Sequence, residues 1–362
     1  MSIHLRATSS ILASLVLCVA AASAFAQKAP APAAAPAPGA APAATTAALP
    51  TSTPAVTVGQ RVVVLNSADA SVSLIDPVTM EEVKRYSVGK EPHHLMPTPD
   101  NRTLIVANAA SNDLMLVDPV SGELKTRIPK IVDPYQIGFS PDQKFFVATA
   151  LRLDHVDIYQ HTATPNGPEF KLLKRLGTPS TPSHMAFTDD NRWVFITLQG
   201  SNQIAAIDLV SQNVAWTLPV GLQPAGIFLT PDQKHLMVGI MGADYVEVID
   251  WRTQKTVGRI VTGKGAHNLR GLGDKKHVLV SNRVTSSISI VDYTTMKVVD
   301  NIMIPGGPDC MEVTPDGKTL WTTTRFNRQV AVVDIASRKV IKTIKVGRSP
   351  HGIYFHDRAS FY

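Results

Sequence analysis

Cysteine is nearly absent: Cys18 and Cys310 are the only two in the sequence. No disulfide framework can staple such a chain, and no Cys-x-x-Cys-His segment is available for covalent haem attachment. Charged residues make up only 18% and aromatic residues 6%. The first figure excludes a disordered polyelectrolyte, and the second leaves little material for the stacking platform of a single-stranded nucleic-acid binder. There is no long lysine or arginine run to make a polyanion site. The apolar run from Ile11 to Ala22 is shorter than the roughly 20 residues that a membrane-spanning helix needs. The 3.6-residue periodicity of amphipathic helices is almost missing, which excludes a helical solenoid.

What is present begins with an export signal. His4 and Arg6 precede the apolar run, and Ala24-Phe25-Ala26 has the small-x-small form that signal peptidase reads. Residues 1–26 are therefore expected to be a signal peptide cleaved after Ala26, placing the protein in the periplasm or outside the cell, with no transmembrane segment in the mature chain. A lipoprotein would need a small residue before Cys18, and Leu17 stands there. Removing the signal takes Cys18 with it, so Cys310 is left alone and stability has to come from packing. Residues 27–56 are almost entirely Ala, Pro, Thr and Ser, a composition that cannot bury a core and reads as a flexible linker. Loss of Arg6 lowers the formal charge from +6 to +5, a weak attraction to anions and no more.

From residue 57 to 362 the sequence repeats. Seven β-rich runs recur: Val62 to Asn66, Leu104 to Asn108, Phe146 to Ala150, Val194 to Leu198, Leu236 to Ile240, Val278 to Asn282 and Leu320 to Thr324. Their ends fall 42 residues apart, with one step of 48. The longer step coincides with a polar stretch near His161 to Pro168, expected to be a loop insertion. Turns such as Pro99-Asp100-Asn101 and Pro315-Asp316-Gly317 precede the runs. Strands ending in Asp, such as Val72 to Asp76 and Val330 to Asp334, follow them, and then a fourth strand such as Val340 to Val346. Four antiparallel strands, seven times over, predict an all-β, seven-bladed β-propeller. The last segment, Gly352 to Phe355, aligns with the first strand of a repeat and Arg61 to Asn66 with the second. One blade is thus expected to be completed from both termini, closing the ring and removing an open sheet edge.

Val63-Val64-Leu65-Asn66, Leu279-Val280-Ser281-Asn282, the Val-Gly ends at Val88-Gly89 and Val346-Gly347, and the Pro-Asp-Gly turn resemble the YVTN β-propeller family, including its YncE-like periplasmic propellers. The resemblance covers about Val58 to Phe355. It implies the propeller architecture and says little about activity, which lives in sites grafted on the fold.

A site is expected where strand four of one repeat passes to strand one of the next, at one mouth of the central channel. That position is marked by Pro92, Pro134, Pro182, Pro224, Ala266, Pro308 and Pro350. The two residues after it are His93-His94, Tyr135-Gln136, Ser183-His184, Ala225-Gly226, His267-Asn268, Asp309-Cys310 and His351-Gly352. Five of the ten histidines left after signal removal occupy these fourteen places. His93, His267 and His351 have two readings: rim histidines that merely bond a neighbouring loop, or members with His94, Tyr135, His184 and Asp309 of a ligand-binding set. His94 and His184 stand one place further on and, with Cys310, are the metal candidates. Arg152, Arg283 and Arg325 on the same rim would suit a carboxylate or phosphate, and the alternative is solvated or ion-paired arginines.

Four functions are compatible with these residues. A non-catalytic scaffold would present the rim to a small ligand or periplasmic protein. A redox-associated propeller, similar to the haem-carrying propeller of periplasmic nitrite reductases, would hold a non-covalent haem or a transition metal. A lactonase-like hydrolase would need a metal or acid–base set, for which Glu91, Asp133 and Asp309 are the acids in reach. Nucleic-acid binding is implied by the YncE-like resemblance alone. The scaffold asks the least of the sequence, and an enzyme is not required.

Overall fold

A computed structural model describes residues 59–361; the expected signal (1–26) and linker (27–56) lie outside the described residues. Twenty-eight strands form seven four-stranded antiparallel sheets. Six sheets take four consecutive strands. The seventh pairs the last strand, Pro350–Tyr354, with the first, Val62–Asn66, followed by Ser71–Asp76 and Glu81–Ser87. Among the described residues the helical turns are Ser67–Asp69 and Ala109–Ser111, and no helix is long and apolar enough to cross a membrane.

The first strands of the seven blades are Pro92–Pro97, Pro134–Phe139, Pro182–Phe187, Pro224–Leu229, Ala266–Gly271, Pro308–Val313 and Pro350–Tyr354. Each packs against the first strand of the next blade, and the last against Pro92–Pro97, so they ring the central channel. Second and third strands are apolar on both faces because each face meets another blade. Val62, Val64 and Ile75 of the blade that closes the ring pack on Trp321, Val330 and Val332 of the last, a buried slab that seals the ring without a disulfide. Fourth strands alternate exposed and half-buried residues, as in Asn213–Pro219, because one edge faces water.

The turn signals act as their chemistry predicts. Thr98 Oγ1 donates to Asp100 Oδ1 at 2.6 Å and Thr314 Oγ1 to Asp316 Oδ1 at 2.7 Å, each tying a hairpin between strands one and two. At the end of the third strand Asp76 Oδ1 accepts the Val78 and Thr79 amides at 2.9 and 3.1 Å. The glycines after the fourth strands, in the Val-Gly pairs and after Thr262, also have a cause. A Cβ on Gly89, Gly263 or Gly347 would lie 2.5–2.8 Å from the side chain of Asn108, Asn282 or Asn66, so only glycine lets that asparagine close over the blade junction.

The insertion differs from expectation. His161 to Pro168 is no irregular loop. It extends the third and fourth strands of its blade into a long hairpin, His155–Thr164 with Gly167–Gly177, paired through Thr164 and Gly167. Backbone pairing does not require apolar side chains, so polarity alone gave the wrong element type. Phe170 stacks on Phe146 at 4.1 Å and anchors the hairpin.

Candidate functional site

Each first strand carries the same irregularity. Pro92 pairs with Asn108, and Leu95 with Val106, so three steps on one strand meet two on the other. The same one-residue bulge follows Pro134, Pro182, Pro224, Ala266, Pro308 and Pro350. A bulge re-aims side chains. Seven of them at one level turn the two residues after each marker position toward the channel as two stacked layers.

The cavity-facing layer is the second residue of each pair: His94, Gln136, His184, Gly226, Asn268, Cys310 and Gly352 all line an inner cavity of about 170 Å3. None of the first residues lines it. Those residues, His93, Tyr135, Ser183, Ala225, His267, Asp309 and His351, are all 9% exposed or less and fill the channel on the rim side. Open space therefore lies on the side away from the rim.

In the rim-side layer, His93 lies over His351 with ring centroids 3.6 Å apart and over Tyr135 at 4.1 Å. Asp309, fully buried, is held by Arg283 Nη2 at 2.5 Å and reached by Arg325 Nη1 at 3.4 Å. His267 Nδ1 is 3.0 Å from Asp309 Oδ1, close in distance though not aligned as a hydrogen bond. His351 Nδ1 donates to the His93 carbonyl at 2.9 Å, and its Nε2 is 3.6 Å from Asp309 Oδ2. Burial is the largest single influence on Asp309 and would raise its pKa; Arg283, His351 and His267 together outweigh it and hold the carboxyl well below its ordinary value. One carboxylate between two guanidiniums leaves one net positive charge.

Burial keeps the imidazoles neutral. It depresses His267 to about 4 and His351 to about 3, and holds His93, His94 and His184 well below the usual histidine value, with neighbouring histidines and arginines adding to it and Asp309 opposing it. Burial likewise pushes the Tyr135 phenol up to about 12 and the Cys310 thiol well above its ordinary value. Among the buried channel atoms without a hydrogen-bond partner in the described residues are His93 Nδ1, His94 Nε2 and His184 Nε2, beside His267 Nδ1 and Asp309 Oδ1, which face each other. An unsatisfied buried polar atom costs about 1–3 kcal/mol, so three together mark a place where a binding partner is missing. His184 Nδ1 is partnered by Ser183 Oγ at 2.8 Å, which turns its bare Nε2 to the channel.

Beyond the inner layer the channel widens to a cavity of about 620 Å3, with His94 and Gln136 at one end and Arg270, Glu312 and residues His356, Arg358 and Ala359 at the other. The C-terminal segment crosses this second mouth. Arg270 Nη2 donates to the Ala359 carbonyl and Nη1 to the Ser360 carbonyl, each at 2.8 Å, while Arg270 also pairs with Glu312 at 3.0 Å.

Residues outside the channel have other partners. Arg152 stays on the rim and is neutralised by Glu91 and by Asp133, the latter at 2.5 Å. Asn66, Asn108 and Asn282 are fully buried fasteners between strands. Arg348 pairs with Asp69 on the surface. His94, His184 and Cys310 share the inner cavity, but Cys310 Sγ lies by His351 Nδ1, 3.5 Å away. Among the described residues, the trios with ligand atoms within 4.8 Å are His93, His94, His351 and His267, Asp309, His351.

Sequence reading missed the hydroxyls behind the bulges. Thr149, Thr197, Ser281 and Thr323 accept the bulged amides of Gln136, His184, Asn268 and Cys310 at 2.9–3.2 Å. Thr149 and Thr323 then donate to the carbonyls of Ser183 and His351 in the next blade, at 2.8 and 2.9 Å. The available signal was a hydroxyl residue next to the last position of the second strand.

Comparison with known proteins agrees with this geometry at the level of fold. The dihydro-haem d1 dehydrogenase NirN, in complex with DHE, superposes with a TM-score of 0.61 at 17% identity over 84% of this chain and 77% of its own. The hydrazine synthase of Kuenenia stuttgartiensis gives 0.61 at 18% identity over 72% and 88%. A functionally unknown protein from Desulfotomaculum acetoxidans gives 0.69 at 14% identity over 82% and 98%. No curated protein sequence matches significantly. The family model of the YNCE-like β-propeller matches residues 12–361, and the chain belongs to that family.

Proposed function

We propose that this YNCE-like propeller is an exported periplasmic binding protein that holds a small ligand in its central channel, against the side chains turned inward by the seven bulges. The observation that carries the reading is the set of bare, neutral nitrogens of His94 and His184 facing a cavity of about 170 Å3 that continues into one of about 620 Å3. The larger volume is that of a small-molecule site, and its walls mix apolar groups such as Met96, Phe187 and Ile227 with a few polar ones. Binding rather than catalysis is favoured by the chemistry at hand: the Cys310 thiol and Tyr135 phenol are held protonated, and Asp309 is spent on Arg283 and Arg325. Export rests on residues 1–26 of the sequence.

Native mass spectrometry of protein purified from its host compartment tests this. A small-molecule adduct is expected on the wild type and is expected to vanish in the His94→Ala/His184→Ala protein. An adduct that persists in a well-folded double variant, or none on the wild type, contradicts it.

A further inference from the structure

We propose that His93, His94 and His351 form a three-nitrogen site for a late transition-metal ion, copper(I) in preference to zinc; this names the ligand class of the channel and rests on the binding reading above. The three imidazoles come from two adjacent first strands, and their ligand atoms all lie within 4.8 Å of one another. Ring centroids are 3.6 Å apart for His93 and His351, 4.7 Å for His94 and His351, and 5.0 Å for His93 and His94. Metal–nitrogen bonds of about 2.0 Å need the nitrogens roughly 3.4 Å apart, which side-chain rotations of about 1 Å supply.

Two of the three residues present a bare nitrogen, His93 Nδ1 and His94 Nε2. The third is already oriented: His351 Nδ1–H donates to the His93 carbonyl at 2.9 Å, which fixes the tautomer and makes Nε2 the lone-pair nitrogen, one that a metal would share with or take from Arg283 Nη2 at 3.5 Å. An outer hydrogen bond of this kind is what aims a metal-ligating imidazole.

The competing trio, His267, Asp309 and His351, is a poor cation site. Arg283 at 2.5 Å and Arg325 at 3.4 Å already occupy the Asp309 carboxylate, and a metal there would face both guanidiniums. That positive charge reaches the histidine trio too, since Arg283 Nη2 is 3.5 Å from His351 Nε2. A divalent ion adds two charges beside it and a monovalent ion only one. Three imidazoles without an oxygen donor exclude calcium and magnesium, and imidazole accepts copper and zinc.

The test is competition titration of chelator-stripped protein with copper(I) under reducing conditions, beside calorimetry with zinc. One copper(I) per chain is expected, bound more tightly than zinc. His93→Gln and His94→Gln should each weaken it about 100-fold while melting stays near wild type, and His267→Gln should change it by less than about threefold. No stoichiometric copper, wild-type affinity in folded His93→Gln and His94→Gln proteins, loss confined to His267→Gln, or a haem absorbance band on the purified protein would each overturn the proposal. If copper fails to bind but an organic adduct disappears in the His94→Ala/His184→Ala protein, only the metal assignment falls. If neither appears, the binding reading falls with it.

Discussion

The Gly347 amide donates to Asn66 Oδ1 at 2.9 Å across 281 residues of sequence. The same Asn66 side chain donates to Ser73 Oγ at 2.8 Å, so one buried amide ties the last blade to the one that closes the ring. Asn66→Ala strands a buried amide and a hydroxyl, and a loss of about 2–3 kcal/mol is expected in urea denaturation. A change under about 0.5 kcal/mol would mean the junction does not hold the ring.

Asp309 is a second fastener. Asp309→Asn leaves the Arg283 and Arg325 charges without their carboxylate, and breaking a buried pair costs about 3–5 kcal/mol. The double variant Asp309→Asn/Arg283→Met should recover part of that loss. No recovery in thermal melts would show that the stabilisation comes from packing and not from charge.

Acid should weaken the metal-free protein before it protonates the carboxylates. His267 titrates near 6.5 when unfolded and at about 4 when folded, so between these values the unfolded chain binds a proton that the folded one rejects. Stability from this group is complete above pH 6.5 and is lost as pH falls toward 4, by about 3 kcal/mol over the window. Denaturation curves at pH 7.5, 6 and 4.5 check the sign. Stability that is flat or rises on acidification contradicts it.

The C-terminal segment covers the open mouth, held by Arg270 and Glu312. Deleting residues 357–362 should speed ligand exchange about tenfold or more, since dissociation carries most affinity differences, and leave the blades paired. Unchanged dissociation in stopped-flow measurements would show that ligands enter elsewhere.

The architecture was readable because a propeller repeats one solution: a 42-residue period, Asp-bearing turns and a chain whose ends align with strands one and two leave little choice of topology. The convergence of His93, His94, His184, His267 and His351 was readable for the same reason, since equal offsets from a marker residue become equal heights on a ring. What could not be read was the direction of each side chain. The bulge sends His93 toward the rim and His94 toward the cavity although they are neighbours in sequence, and no composition rule reports that twist. Arg270 illustrates the same limit: two residues past the pair His267-Asn268, it serves the mouth opposite the rim. Hydroxyls such as Thr197 looked like ordinary strand residues because their bulged partner amides had no signature of their own.

Crystal structure determination on protein purified from its native host is the most direct test of a ligand site built by the seven bulges. Density for a bound species touching His94 or His184 inside the channel is expected; a channel holding only water, with the co-purified molecule seated on the rim or outer strands, would contradict it.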